Sequence, residues 1–159
     1  MYGMGYQKTL KGIENPPEFD EAIDLSSQSL EIKESIDGLN PLSIALTLTN
    51  RGYAYFAKKC FAESFNDHLR ALEIRMQHLK EGHPDLELTN NNLLLMLKEQ
   101  DVDASRYFNI RYQDKPRQER QKLQCEYMYI QQEQKQEVQV SSSEEEQQRA
   151  KFQSLQQQQ

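Results

Sequence analysis

The sequence contains no tryptophan, and its only cysteines are Cys60 and Cys125. Two cysteines do not make a disulfide framework, so the expected setting is reducing and intracellular, with a cytoplasmic location. No apolar run approaches the ~18–20 residues that a bilayer span needs, so no membrane association is expected. The opening MYGMGYQKTLKG lacks the continuous apolar stretch of a secretory signal. Basic charge is also short. Against 25 acidic residues stand 19 basic ones, a net of −6, which argues against a nucleic-acid surface. Hydrophobic residues make up 36%, below the ~45–50% of packed chains, so part of the 159 residues is expected to stay unpacked. The length itself suits about one domain.

The segment expected to stay unpacked is at the C-terminal end. Residues 113–159 hold 16 glutamines and finish as SSSEEEQQRAKFQSLQQQQ. Such a stretch has too little apolar surface to offset the entropy of ordering. It reads as a low-complexity tail over 132–159, disordered with helical tendency at most. Before it, Leu123, Tyr127 and Ile130 share one helix face, and Pro116 suits a first turn. That predicts a capping helix over about 113–131. The segment CEYMYI also reads as a β-prone strand.

An internal repeat governs the remainder, 1–112. At an offset of 42, Phe19 falls on Phe61, Glu21 on Glu63 and Ala22 on Ser64. Leu30-Glu31-Ile32-Lys33 falls on Leu72-Glu73-Ile74-Arg75, Thr47 on Thr89 and Asn50 on Asn92. Pro41 and Pro84 lie one residue out of step. Each period reads as two helices. Ile44, Leu48, Tyr55 and Phe56 mark one over 43–58, with Gly52 inside it. A mid-helix glycine costs ~1 kcal/mol against alanine, so close approach of a neighbouring helix is expected there. Phe65, Leu69, Leu72, Met76 and Leu79 mark the next, over 61–79. Gly82 and Pro84 break the chain, and a leucine-rich helix starts near Asp85. Upstream, Pro16 and Pro17 open the helix of Phe19, Ile23 and Leu30. Asp103, Ala104, Tyr107 and Phe108 suggest one more. The expected fold is all-α.

The string ALEIR, then Gly82-His83-Pro84-Asp85, then Thr89 and Asn91-Asn92-Leu93 resembles tetratricopeptide repeats, in the 42-residue form of kinesin light chains. The resemblance covers about 17–100. It implies a short helix-turn-helix solenoid, with one full repeat at about 43–82 between two partial ones. The chain departs from the pattern where the family often has glycine between its helices: Lys59 stands there, and Asp101 in the next unit. No heptad segment corresponds to the family's coiled coil, and microtubule transport is not assigned.

The resemblance further implies a non-catalytic protein–protein interaction module, an adaptor or scaffold. Its ligand is an extended peptide in a concave groove lined by the first helices. Asn50 and Asn92 fall where the family's asparagines hold the peptide backbone. A carboxamide both donates and accepts, so it pairs with any peptide unit. Thr49, Tyr53 and Phe56 flank Asn50 by helical spacing, as Asn91 and Leu95 flank Asn92. The alternative role for both asparagines is bracing neighbouring helices. The residue 42 before Asn50 is Lys8, which can donate but not accept.

An enzyme reading has little support. His68, His78, His83, Cys60 and Asp85 are the only candidate cluster, and their spacings match no zinc motif. Cys60 begins a helix, where it is either a packing residue or a somewhat acidified thiol. No phosphate loop or GxSxG occurs, so no cofactor and no metal are expected. The competing expectations are self-association through exposed repeat ends, or a fragment of a longer repeat protein.

Overall fold

The computed structural model describes residues 16–100 and 102–156. Six helices and no strand occur among them: α1 Pro16–Glu34, α2 Pro41–Ala57, α3 Phe61–His78, α4 Pro84–Glu99, α5 Ala104–Arg111 and α6 Arg117–Gln156. The expected all-α class is met. Lys8 and Asp101 lie outside the described residues, so the readings placed on them have no structural counterpart here. The chain divides into two units, Met1–Lys115 and Pro116–Gln159.

The helix starts follow from local chemistry. Asn40 caps α2, its side chain accepting from the Leu42 amide at 3.0 Å, and Pro41 follows in the first turn. His83 caps α4 in the same way, Nδ1 accepting from the Asp85 amide at 3.2 Å, and Pro84 follows. Asp103 caps α5, accepting from the amide and the hydroxyl of Ser105. Each cap satisfies an amide that the helix leaves unpaired. The stops are left-handed residues, Gly82 (φ 81°) after α3 and Lys59 (φ 63°) after α2. Lysine at such a position is strained by its Cβ, and it stands where the resemblance led us to expect glycine.

In the first unit, α2 packs against α1 and α3, and α3 packs against α4 and α5. Leu30, Ala45, Leu48 and Ala71 form a buried cluster, joined by Ile44 and Ile74. Phe65, Leu69, Leu72, Leu86, Leu93, Met96, Tyr107 and Phe108 are buried as well. Gly52 is tight against α3, as its mid-helix position suggested. A Cβ there would stand 2.5 Å from the His68 ring, and the Ser64 hydroxyl donates to the Gly52 carbonyl at 2.7 Å.

The 42-residue period is visible in hydrogen bonds. Lys33 Nζ donates to Thr47 Oγ1 at 2.7 Å, and Arg75 Nη1 donates to Thr89 Oγ1. Each threonine donates back to its own helix, Thr47 to the Ser43 carbonyl and Thr89 to the Asp85 carbonyl. A cation at the end of one helix thus ties the start of the next, twice, at the same offset.

The second unit departs from expectation. One helix runs from Arg117 to Gln156, without a break near 131 and without a strand at CEYMYI. No residue of α6 is buried. The expected disorder over 132–159 rested on missing apolar surface. Glutamine, glutamate, arginine and lysine are nonetheless good helix formers, and their propensity acts without packing. No described helix is long and apolar enough to cross a membrane.

Candidate functional site

The seven residues expected to line a groove come from α2 and α4, and the structure sorts them by depth. Asn50 is exposed, and its carboxamide has no hydrogen-bond partner among the described residues. Asn91 is exposed too. Tyr53, Phe56, Asn92 and Leu95 are half-buried. Thr49 is different, being only 5% exposed. Its hydroxyl donates to the Ala45 carbonyl at 2.9 Å and accepts from Arg75 Nη1 at 2.9 Å. One residue along a helix turns the side chain by about 100°, which carries Thr49 off the Asn50 face and into the core. It belongs to the support of the site, not to its surface.

Two of the remaining residues bond each other. Asn92 Nδ2 donates to the Tyr53 hydroxyl at 2.7 Å, joining α4 to α2. Tyr53 is held from beneath by the His68 ring, edge-on at 5.2 Å between centroids. Asn50 precedes Tyr53 by one helical turn, so the two share a face. Phe56 meets Phe61 edge-on at 5.3 Å and belongs to the junction of α2 and α3.

Leu46 joins this face one turn before Asn50, and it is 55% exposed. Leu88 is its counterpart 42 residues on, half-buried on α4. The outward order leucine, asparagine, then Tyr53 or Leu95 is therefore common to both helices. Leu46 was missed as a site residue, although the leucine pair at the repeat offset marks it.

Below the face lies a polar layer. Arg75 is 7% exposed, and among the described residues its guanidinium hydrogen-bonds the hydroxyls of Thr49 and Thr89. Burial draws its pKa down, against the charge of Asp85. Arg51 grips Asp67 through two bonds of 2.7 Å each, and these raise its pKa. His68 is fully buried, its Nδ1–H donating to the Ser64 carbonyl at 2.8 Å and its Nε2 unpartnered. Burial pushes its pKa down, which keeps the imidazole neutral.

The candidate metal residues do not assemble. No group of three His, Cys, Asp or Glu side chains suited to a metal occurs among the described residues. His83 serves as a helix cap, His78 is exposed, and His68 is enclosed. Cys60 is half-buried, its thiol 3.9 Å from the Lys58 carbonyl oxygen. What the α2–α4 face offers is recognition chemistry: one unpaired carboxamide, a second held by a tyrosine, and leucines around them.

Comparison of the chain with protein-family models, with curated proteins and with solved structures returns no match in any of the three.

Proposed function

We propose that the chain is a non-catalytic binding module of the tetratricopeptide type, which takes an extended peptide across the face shared by α2 and α4. The observation that carries this reading is the exposed, unpaired carboxamide of Asn50 beside the Tyr53–Asn92 bond. Asn50 both donates and accepts, as a peptide unit requires. The Asn92 carbonyl oxygen remains open to a ligand amide while its nitrogen braces Tyr53, so Asn92 combines a groove role with a bracing role. Each such bond contributes only ~0.5–1.5 kcal/mol. Leu46, Tyr53, Leu88 and Leu95 add apolar contact for alternate side chains of the peptide. Both cysteines are free, which suits a reducing compartment, and we place the module in the cytoplasm as an adaptor.

The test is capture of partners from lysate by the parent chain and by the Asn50→Ala, Asn92→Ala variant, at matched helicity. Partners that disappear with the two carboxamides support the groove. Retention of every partner by the variant overturns it.

A further inference from the structure

The enclosed imidazole beneath the α2–α4 face is a titratable group that peptide binding leaves unused. His68 is 0% exposed, and its two ring nitrogens have unequal surroundings. Nδ1 lies 2.8 Å from the Ser64 carbonyl oxygen, which accepts and cannot donate, so the proton of the neutral ring sits on Nδ1. Nε2 is then a bare acceptor, buried and without a hydrogen-bond partner.

Acid adds the second proton at Nε2. That creates a donor and a unit charge where the pocket holds no acceptor, and such a group is costly to bury. Water must therefore reach Nε2, and one wall of the pocket has to give way. Gly52, Ser64 and Tyr53 stand around the ring. The first two are buried and joined, the Ser64 hydroxyl donating to the Gly52 carbonyl at 2.7 Å, so moving them would part α2 from α3. Tyr53 is half-buried and meets the imidazole edge-on, with 5.2 Å between centroids. Rotation of its side chain toward solvent uncovers the ring. The same rotation carries the Tyr53 hydroxyl away from Asn92 Nδ2, which now lies at 2.7 Å.

The charges nearby do not relieve an enclosed imidazolium. Asp67, next to His68 on α3, favours the charged form but is already gripped by Arg51 of α2. Arg75, two turns on, opposes it. The titratable group that α2 sets against the ring is Tyr53 itself, and no charged side chain of α4 or α5 acts on it among the described residues. We propose that His68 is a proton switch for the α2–α4 face: on acidification its protonation turns Tyr53 outward and breaks the Tyr53–Asn92 bond. Release of a bound peptide by acid rests on the binding function proposed above. The switch itself acts in the free chain and does not depend on it.

The test follows the isotope-labelled full chain by NMR from about pH 8 to about pH 5, without ligand. The Asn92 side-chain amide and Tyr53 ring signals are expected to shift together, in one step centred below about pH 6.5. The Leu69 and Leu72 amides keep their dispersion through that step. His68→Leu and His68→Gln cannot take the proton and lose the step, and glutamine retains a donor for the Ser64 carbonyl. His83→Asn keeps the step, because asparagine caps α4 without titrating. Four results overturn the proposal: Asn92 and Tyr53 signals that stay fixed, a step that survives in either His68 variant, a step lost in His83→Asn, or Leu69 and Leu72 losing dispersion at the same midpoint, which assigns the change to unfolding. Partner capture by the Asn50→Ala, Asn92→Ala variant is a separate readout, so failure of the groove and failure of the switch are told apart.

Discussion

Arg51 and Asp67 are sixteen residues apart and meet through two parallel bonds of 2.7 Å, with the Arg51 Nη1 also donating to Ser27 at 3.0 Å. One guanidinium thereby ties α2 to both α1 and α3. The two ends of the pair are not equally enclosed, since the Arg51 side chain is 20% exposed and that of Asp67 8%. Removing the cation strands a buried carboxylate, whereas removing the carboxylate leaves a cation that can lean toward water. Arg51→Ala should therefore cost about 3 kcal/mol and Asp67→Ala less. Urea denaturation of both variants gives the order, and the reverse order would contradict this account.

Gly52→Ala sets two effects against each other. Alanine favours a helix by ~1 kcal/mol over glycine. The new Cβ would stand 2.5 Å from the Cε1 and Nδ1 of His68, a ring enclosed on all sides. Overpacking of that kind costs about 1–3 kcal/mol, so the net effect is destabilising. Pairing Gly52→Ala with His68→Ala should recover part of the loss in a thermal melt. A Gly52→Ala chain that melts above the parent would show that α2 and α3 separate easily.

Lys59→Gly should stabilise the fold. Lys59 is exposed and holds φ at 63°, a region that disfavours a Cβ by roughly 1–2 kcal/mol. Glycine also loses more entropy on folding, which returns up to ~1 kcal/mol of that gain. A rise in melting temperature is expected. Lys59→Ala, which keeps the Cβ, should give none, and equal melting of the two variants would count against strain at this residue.

His68 makes stability depend on pH. Its folded pKa lies below the unfolded value of about 6.5, because burial disfavours the imidazolium. The unfolded chain therefore binds more protons in the window just below pH 6.5. Stability from this residue is full above that window and falls as pH drops through it, levelling once the folded pKa is passed. Arg75 nearby also opposes the charged form, while Asp67 favours it. A His68→Leu chain should lose this slope in urea midpoints taken across the window, and an unchanged slope would assign it to another group.

The helices of the first unit were legible because the markers are local. Pro16, Gly82 and Pro84 are breakers that act within a turn of chain, whereas the caps Asn40 and His83 were not read from the sequence, which started those helices at 43 and near Asp85. The offset of 42 was legible as identity between Lys33-Thr47 and Arg75-Thr89, although sequence could not show that each pair is a hydrogen bond. Thr49 was placed on the groove face because it adjoins Asn50, yet its depth depends on where Arg75 arrives from another helix. Leu46 escaped notice for the opposite reason. An exposed leucine looks like a core residue until its neighbours in space are known. Over 132–156 the lack of a core set the expectation at helical tendency at most, whereas the structure has a continuous helix there, and helix propensity needs no core.

At about 1.5 Å per residue, the forty residues of α6 extend roughly 60 Å, and none of them is buried. Local bonds open locally, so its amides should exchange with solvent at rates set by fraying rather than by one concerted event. Heating would then erode its circular dichroism gradually, while helices α1–α5 melt over a narrow interval. Among the six helices, a protease added under native conditions would open α6 first, and digestion would trim that helix back toward Pro116.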